Sequence, residues 1–376
     1  MSSHVSLRRA TTLALLLLAS VTPSLTAQGS LDRLELHGAL NAAYGRASEL
    51  PVFGVPLTGT SDYRTLTLQG RYTLSDKDQI VAQVFNRRLG ASPLAGAISD
   101  VTMQWAYWQH RAGAFTVKAG RNPLPRGLSN ETRYIGTMHP FYRPSVELQL
   151  DAFDAIDGAV LGYRHQLPYD IEFEQFAFAG GSENRSIATT AAGQENRVAR
   201  TENMFGGQSY FRLPVANARI GAYVARYNFV QAASRGYRTN VLLSAEATPV
   251  SRLKLETEHG KLTGHGPNND NRSGYFQGTL RTFDRFAIAG QHAYTSRMLF
   301  FGNPELNFVF PEVKTNGVSG IVTLSPNAVL KLEQHWRRGW QFDAATPPIA
   351  SQTATTVTLN EKRKARYYLV SIAASF

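Results

Sequence analysis

Tyr63-Arg-Thr-Leu-Thr-Leu-Gln-Gly-Arg-Tyr-Thr73 is the stretch that decides the fold. In an extended chain Leu66, Leu68, Gly70 and Tyr72 fall on one face, and Thr65, Thr67, Gln69 and Arg71 on the other. The same period of two returns along the chain. Val101, Met103, Trp105 and Tyr107 alternate with Thr102 and Gln104, and Phe115, Val117 and Ala119 with Thr116 and Lys118. Gly274, Phe276, Gly278 and Leu280 oppose Ser273, Gln277, Thr279 and Arg281. Leu330, Leu332 and Trp336 oppose Lys331, Glu333, His335 and Arg337. Such strands need an apolar partner on one side only, which a sandwich core or a lipid bilayer supplies equally well.

The connections separate these two environments. About sixteen strands are expected between residues 33 and 376, joined alternately by short and long segments. Short turns fall at Leu74–Asp78, Arg111–Gly113, Gln166–Asp170, Pro214–Asn217, Thr248–Ser251, Phe283–Asp284 and Ser325–Ala328. The longer segments are 46–62, 89–99, 123–156, 181–201, 230–235, 262–271, 296–314 and 339–363. A Greek-key sandwich has no reason to keep this parity. A transmembrane antiparallel β-barrel does, with short turns on one side of the membrane and long loops on the other. Aromatics near strand ends, among them Tyr44, Tyr63, Tyr72, Trp108, Phe173 and Trp336, suit the two lipid interfaces.

Export is written at the start. Arg8 and Arg9, the apolar run Leu13 to Ser20, and Leu25-Thr26-Ala27 form a signal peptide over residues 1–27, which leaves 28–376 for the barrel. The apolar run is far shorter than the roughly 20 residues of a spanning helix. The chain has no Cys, so disulfides, thiolate metal sites and a lipid anchor on cysteine are excluded. Without Arg8 and Arg9 the 39 basic residues fall to 37 against 28 acidic ones, leaving a mature charge of about +9. Export argues against nucleic acid as a partner. An anion-favouring interior, or loops facing anionic lipopolysaccharide, accounts for the excess.

The final stretch, Arg366-Tyr-Tyr-Leu-Val-Ser-Ile-Ala-Ala-Ser-Phe376, resembles the C-terminal signal of outer-membrane proteins, whose last strand ends on an aromatic residue. Together with the loop parity it gives the chain a resemblance to the sixteen-stranded porins of Gram-negative bacteria along nearly its full mature length. The resemblance implies a water-filled channel for passive diffusion of small hydrophilic solutes in the bacterial outer membrane. It also implies a homotrimer, no cofactor, no turnover, and a third extracellular loop that folds into the barrel and narrows it. The run Gly120-Arg-Asn-Pro-Leu-Pro-Arg-Gly-Leu-Ser-Asn-Glu-Thr-Arg133, followed by Arg143-Pro-Ser, is similar to a stretch in some porin-like proteins.

By count that third loop is 123–156, much longer than an ordinary connection. Arg121, Arg126, Arg133 and Arg143 give it positive charge, and Glu131, Glu147, Asp151 and Asp154 give it opposing carboxylates. Facing charges of opposite sign make a transverse field that penalises apolar solutes, and arginine forks suit carboxylate or phosphate. The competing reading is that these arginines pair with the nearby acids and pin the loop to the wall. Arg71, Lys118, Lys254, Arg281, Lys331 and Arg337 are expected to line the lumen, partly balanced by Glu256, Glu258 and Glu333, so only a weak anion preference is expected. No HExxH, phosphate-binding glycine loop or GxSxG is present, and no metal site is expected. An outer-membrane barrel enzyme of phospholipase or protease type, or an adhesive or structural barrel, is the alternative.

Overall fold

The structure, a computed structural model, describes residues 33–90, 98–148, 154–190, 193–231, 234–264, 270–299, 308–339, 350–353, 356–359 and 363–376. The signal peptide lies outside these residues, and so does Asp151.

Among the described residues sixteen antiparallel strands close into one barrel. They are β1 (Leu34–Ser48), β2 (Thr60–Thr73), β3 (Asp78–Leu89), β4 (Ile98–Ala112), β5 (Phe115–Pro123), β6 (Ala155–Leu167), β7 (Ile171–Thr190) and β8 (Gly193–Leu213). The second half is β9 (Ala218–Gln231), β10 (Ser234–Val250), β11 (Leu253–Gly264), β12 (Asp270–Phe283), β13 (Phe286–Leu299), β14 (Phe308–Ser325), β15 (Ala328–Gly339) and, after a separate small hairpin of β16 (Ala350–Thr353) and β17 (Thr356–Leu359), the last strand β18 (Arg363–Ser375). Each strand pairs with its sequence neighbour, and β18 closes the ring on β1 with Ala42 opposite Ile372. Closure leaves no strand edge unpaired, which is what lets a sheet stand in lipid.

Outside β4 the alternation sorts the two faces as expected. Leu66, Leu68, Ile288 and Leu332 are exposed outward, while Thr65, Glu333 and Lys331 on the opposite parity are buried. In β18 the outward row is Tyr368, Val370, Ile372, Ala374 and Phe376, and the inward row, Ala365, Tyr367, Leu369 and Ala373, is buried although apolar. Two long connections inside the barrel cover that inner apolar row.

Five expectations need correction. In β4 a register shift opposite Gln83 and Val84 breaks the row Val101, Met103, Trp105, Tyr107: Val101 and Met103 face outward, while Trp105 is buried on the inner side. The segment 230–235 is largely strand, β9 running to Gln231 and β10 starting at Ser234 opposite it. The segment 181–201 is not a loop: β7 and β8 run on as a paired ladder, from Ser182 opposite Thr201 to Thr190 opposite Gly193. Twenty residues of strand at about 3.3 Å each far exceed the apolar band of about 25 Å. Beyond that band the sequence Ser182-Glu-Asn-Arg-Ser-Ile-Ala-Thr-Thr190 carries no apolar alternation, while backbone pairing continues. The segment 308–314 is likewise strand, within β14. Tyr63 is not an interfacial aromatic. It points inward, 1% exposed, packs on Tyr142 and donates its hydroxyl to the Phe53 carbonyl.

Candidate pore and constriction

The connection between β5 and β6 crosses the interior and is held by three sectors of wall. Its first turn is fixed on the β8–β11 side, where the Gly127 amide donates to Gln208 Oε1 and the Leu128 amide to Glu258 Oε1, each at 2.8 Å. Gly127 has φ +67, and a Cβ there would collide with the Glu258 carboxylate, so glycine is required for this approach. Ser244 and Tyr275 hydroxyls complete the coordination of Glu258 at 2.8 and 3.1 Å. The middle of the connection is a 3-10 turn at Gly136–Met138 against β18 and β1. There Asn41 Nδ2 donates to the Tyr142 carbonyl at 2.7 Å. On β3 the Arg87 guanidinium donates to the Tyr134 hydroxyl at 2.9 Å.

The third sector is the inner row of β15. Lys331 Nζ donates to the carbonyls of Gly136 and Phe141 at 2.6 and 2.9 Å. Glu333 Oε1 accepts the Tyr142 amide at 2.6 Å, and His335 stacks on Tyr367 and meets the tilted ring of Phe141. Arg337 pairs with Glu147, which also accepts from Thr315 at 2.5 Å. Burial raises the Glu147 carboxyl, but Arg337 and these hydroxyl donors outweigh it and hold its pKa below the usual carboxylate range. His139, half-buried with Nε2 2.8 Å from the Thr132 carbonyl, is pushed down to about 4 by desolvation, with Lys331, Lys254 and Arg133 adding to the effect.

The site residues read from sequence divide accordingly. Arg126 and Arg133 are buried, Arg126 donating to the Leu148 carbonyl at 3.1 Å and Arg133 lying over the Tyr134 ring. Burial lowers the Arg126 pKa. Arg143 and Arg337 both lie over the Phe53 ring, contributed by the connection between β1 and β2. That shorter connection also turns inward: Val52 and Val55 are fully buried with Tyr142 and Tyr367. Its part in filling the barrel is not signalled by charge or length, only by the apolar run Leu50-Pro-Val-Phe-Gly-Val-Pro-Leu57.

Arg121 does not join the group. It lies in the outward row with Phe115, Val117 and Ala119 and pairs with Asp157 at 2.7 Å, because β5 keeps unbroken register with β6 up to Pro123. Asp154 accepts from Tyr134 at 3.2 Å and Gln104 at 3.3 Å. Lys331 and Arg337 have the expected inward parity, but the crossing connection covers them.

What faces the remaining water is a different set. Glu131, exposed at the connection's surface, meets Lys118 on β5 at 3.8 Å. Arg71 pairs with Glu35 at 3.1 Å near the short-turn end. Between β6 and β11 the inner wall carries a belt of alternating charge. Arg164 pairs with Glu174 at 2.7 Å, Arg212 with Glu172 at 3.3 Å, Arg219 with Glu246 at 2.7 Å, and Lys254 with Glu246 and Glu256 at 3.2 and 2.8 Å. Register accounts for the belt: Glu172, Arg212, Arg219, Glu246, Glu256, Gln277 and Gln291 are successive cross-strand neighbours from β7 to β13. Arg281 lies exposed on the inward parity of β12. Among the described residues no group of His, Asp and Glu could hold a metal ion.

No family model and no curated protein matches the sequence. Solved structures do match. The outer membrane channel DcaP of Acinetobacter baumannii superposes with a TM-score of 0.58 at 10% identity, over 91% of this chain and 97% of that one. The anion-selective porin from Comamonas acidovorans gives 0.57 at 11%, over 91% and 99%. A trimer form of OmpT, an outer membrane protein of Vibrio cholerae, gives 0.56 at 9%, over 91% and 99%. At such identity the likeness is one of architecture, and it extends over nearly the whole of both chains. Closed ring, strand number and interior crossing connection together give this chain the fold of the sixteen-stranded porins of the bacterial outer membrane.

Proposed function

We propose that this protein is a passive diffusion porin for small hydrophilic solutes, with the 124–154 connection as its extracellular constriction. The observation that carries the reading is an inner wall lined by hydrated, alternating charge beside a connection fastened across the lumen. A wall of this kind lowers the barrier for dipolar and charged solutes and raises it for apolar ones. In this reading solutes pass between the connection and the β5–β11 wall, at Lys118, Glu131, Arg164, Arg212 and Lys254. Arg126, Arg133 and Arg143 act from behind the aperture by fixing the connection and by adding positive potential. Lys118, Arg164, Arg212, Arg219 and Lys254 each have a carboxylate beside them, so the preference for anions is weak. The porin from Comamonas acidovorans is described as anion-selective, in keeping with that sign. The assembly is a homotrimer, as in the trimer form of OmpT, and the barrel's outer rim meets lipopolysaccharide. Transport needs no cofactor and no covalent chemistry.

The test is single-channel conductance in a planar bilayer, with reversal potential under a salt gradient. Stepwise openings with a small anion-side reversal are expected. Correctly folded protein that does not conduct would overturn the proposal.

A further inference from the structure

We propose that the middle of the crossing connection, residues 136–142, is a clasp that holds the barrel shut at the seam between β1 and β18, so that constriction and closed ring form and open together. The inference needs the barrel fold and does not depend on conduction. Neighbouring strands around the ring follow one another along the chain, with only the small hairpin before β18 intervening, except at this seam. Ser48 and Arg366, bonded across it at 3.3 Å, are 318 residues apart. Joining segments so distant costs chain entropy that a tight turn largely avoids.

The inward face of the seam is shaped to receive the connection. Register sets Ala39 opposite Ser375, Asn41 opposite Ala373 and Ala43 opposite Ser371. All but Asn41 are small, so they leave a shallow recess, and the connection lies in it. On the β1 side Asn41 Nδ2 donates to the Tyr142 carbonyl at 2.7 Å, and the Tyr142 hydroxyl donates back to the Asn41 carbonyl at 3.3 Å. On the β18 side the Thr137 and Ser375 hydroxyls are 3.2 Å apart. Gly136 sits on the seam itself, where a Cβ would stand 2.7 Å from both Ala373 on β18 and Asn41 on β1. One short segment thus bonds both strands of a joint that no turn links.

The outward face carries a second fastening. Gly38 and Phe376 exchange both main-chain hydrogen bonds, at 3.1 and 3.0 Å. The Phe376 ring lies over Gly38, in the space a Cβ would take, so a bare glycine seats the terminal ring. That contact fixes the register on which the inner ones depend. A slip of one residue would turn Asn41 or Ala373 away from the connection. Releasing the connection removes the inner grip on the seam, and opening the seam removes the support of the connection.

The experiment follows amide hydrogen exchange, strand by strand, in the full chain refolded in detergent micelles. The clasp variant is Asn41→Ala/Thr137→Val. The comparison variant, Glu258→Leu, frees the same connection from β11, which a short turn joins to β10. The clasp variant loses two side-chain hydrogen bonds, each worth about twofold to tenfold in an opening equilibrium. Exchange in β1 and β18 is therefore expected to quicken roughly fivefold to a hundredfold, with β10 and β11 unchanged. Glu258→Leu should leave β1 and β18 protected. An oxidised Ala43→Cys/Ser371→Cys pair, directly opposed and inward in a chain without cysteine, bolts the seam in place of the clasp. Added to the clasp variant, it should restore protection of β1 and β18 while single-channel conductance stays raised. Equal quickening in every strand would mean general instability and overturn the clasp. Unchanged exchange in β1 and β18, or equal quickening there in Glu258→Leu, would also overturn it. If the clasp variant does not refold, the oxidised pair should restore folding, and failure to do so would overturn the seam as the place of the defect. A wild type that does not conduct would remove the porin reading, while the exchange pattern would still decide the clasp.

Discussion

At Glu258 a single buried carboxylate collects the Leu128 amide, the Ser244 hydroxyl and the Tyr275 hydroxyl. Replacing it with leucine strands three donors, each costing about 1–3 kcal/mol when buried without a partner. Glu258→Leu is therefore expected to release the first turn of the crossing connection and raise single-channel conductance. Glu258→Gln, which keeps the shape and one acceptor, should do so less. A second expectation concerns acid. His139 in the packed connection titrates at about 4, against about 6.5 for a free imidazole. With the folded pKa below the free one, a released connection takes up protons first as pH falls from about 6.5 to about 4, so packing weakens across that window. Glu147, held below the ordinary carboxylate range, acts in the same direction: its stabilisation is present above that range and is lost as pH falls through its lowered pKa. Conductance noise recorded between pH 7 and pH 4 should rise on acidification. His139→Gln, whose amide can still meet the Thr132 carbonyl, should move that rise to lower pH.

The crossing connection behaves as an element clamped by another element. Lys331, Glu333, His335 and Arg337 occupy alternate positions of β15 and meet it in sequence from Gly136 to Glu147. Their inward face was legible from the period of two; their occupation by a segment 190–195 residues earlier was not, because alternation gives a direction and no partner. The apolar inner row of β18 is the trace such a segment leaves in sequence. Tyr367, Leu369 and Ala373 would be misplaced against open water, and they are buried by Tyr142, Phe53 and the Gly136 turn. A Cβ at Gly136 would lie 2.7 Å from both Ala373 Cβ and Asn41 Cγ. Gly136→Ala should push the turn off the wall at a cost of about 1–3 kcal/mol, seen as a lower thermal unfolding midpoint and a larger or noisier conductance.

For the whole molecule the relevant quantity is the balance of lumen charge. Arg164 and Arg212 neutralise Glu172 and Glu174 on the exposed part of the belt. Arg164→Gln/Arg212→Gln leaves two carboxylates facing the water path, and the reversal potential should move to the cation side. Lys118→Gln, which uncovers Glu131, should move it the same way by less. Both shifts should shrink as salt is raised, since charges on a wetted wall are screened within about 8–10 Å at physiological strength. An unmoved reversal potential would place the solute path elsewhere in the barrel.

Strand number, the inward and outward faces of most strands, and the positions of the short turns were determined by sequence alone. They follow from a period of two and from local turn chemistry, which act over a few residues. The tertiary structure decided everything that needs two distant segments to meet. It turned Arg121 outward beside Asp157, extended β7 and β8 through an expected loop, and brought Phe53 between Arg143 and Arg337. It also converted the arginines of the crossing connection from pore-facing groups into buried anchors and aligned seven wall residues into one charged belt. Ring closure and register set those meetings, and both are properties of all sixteen strands together.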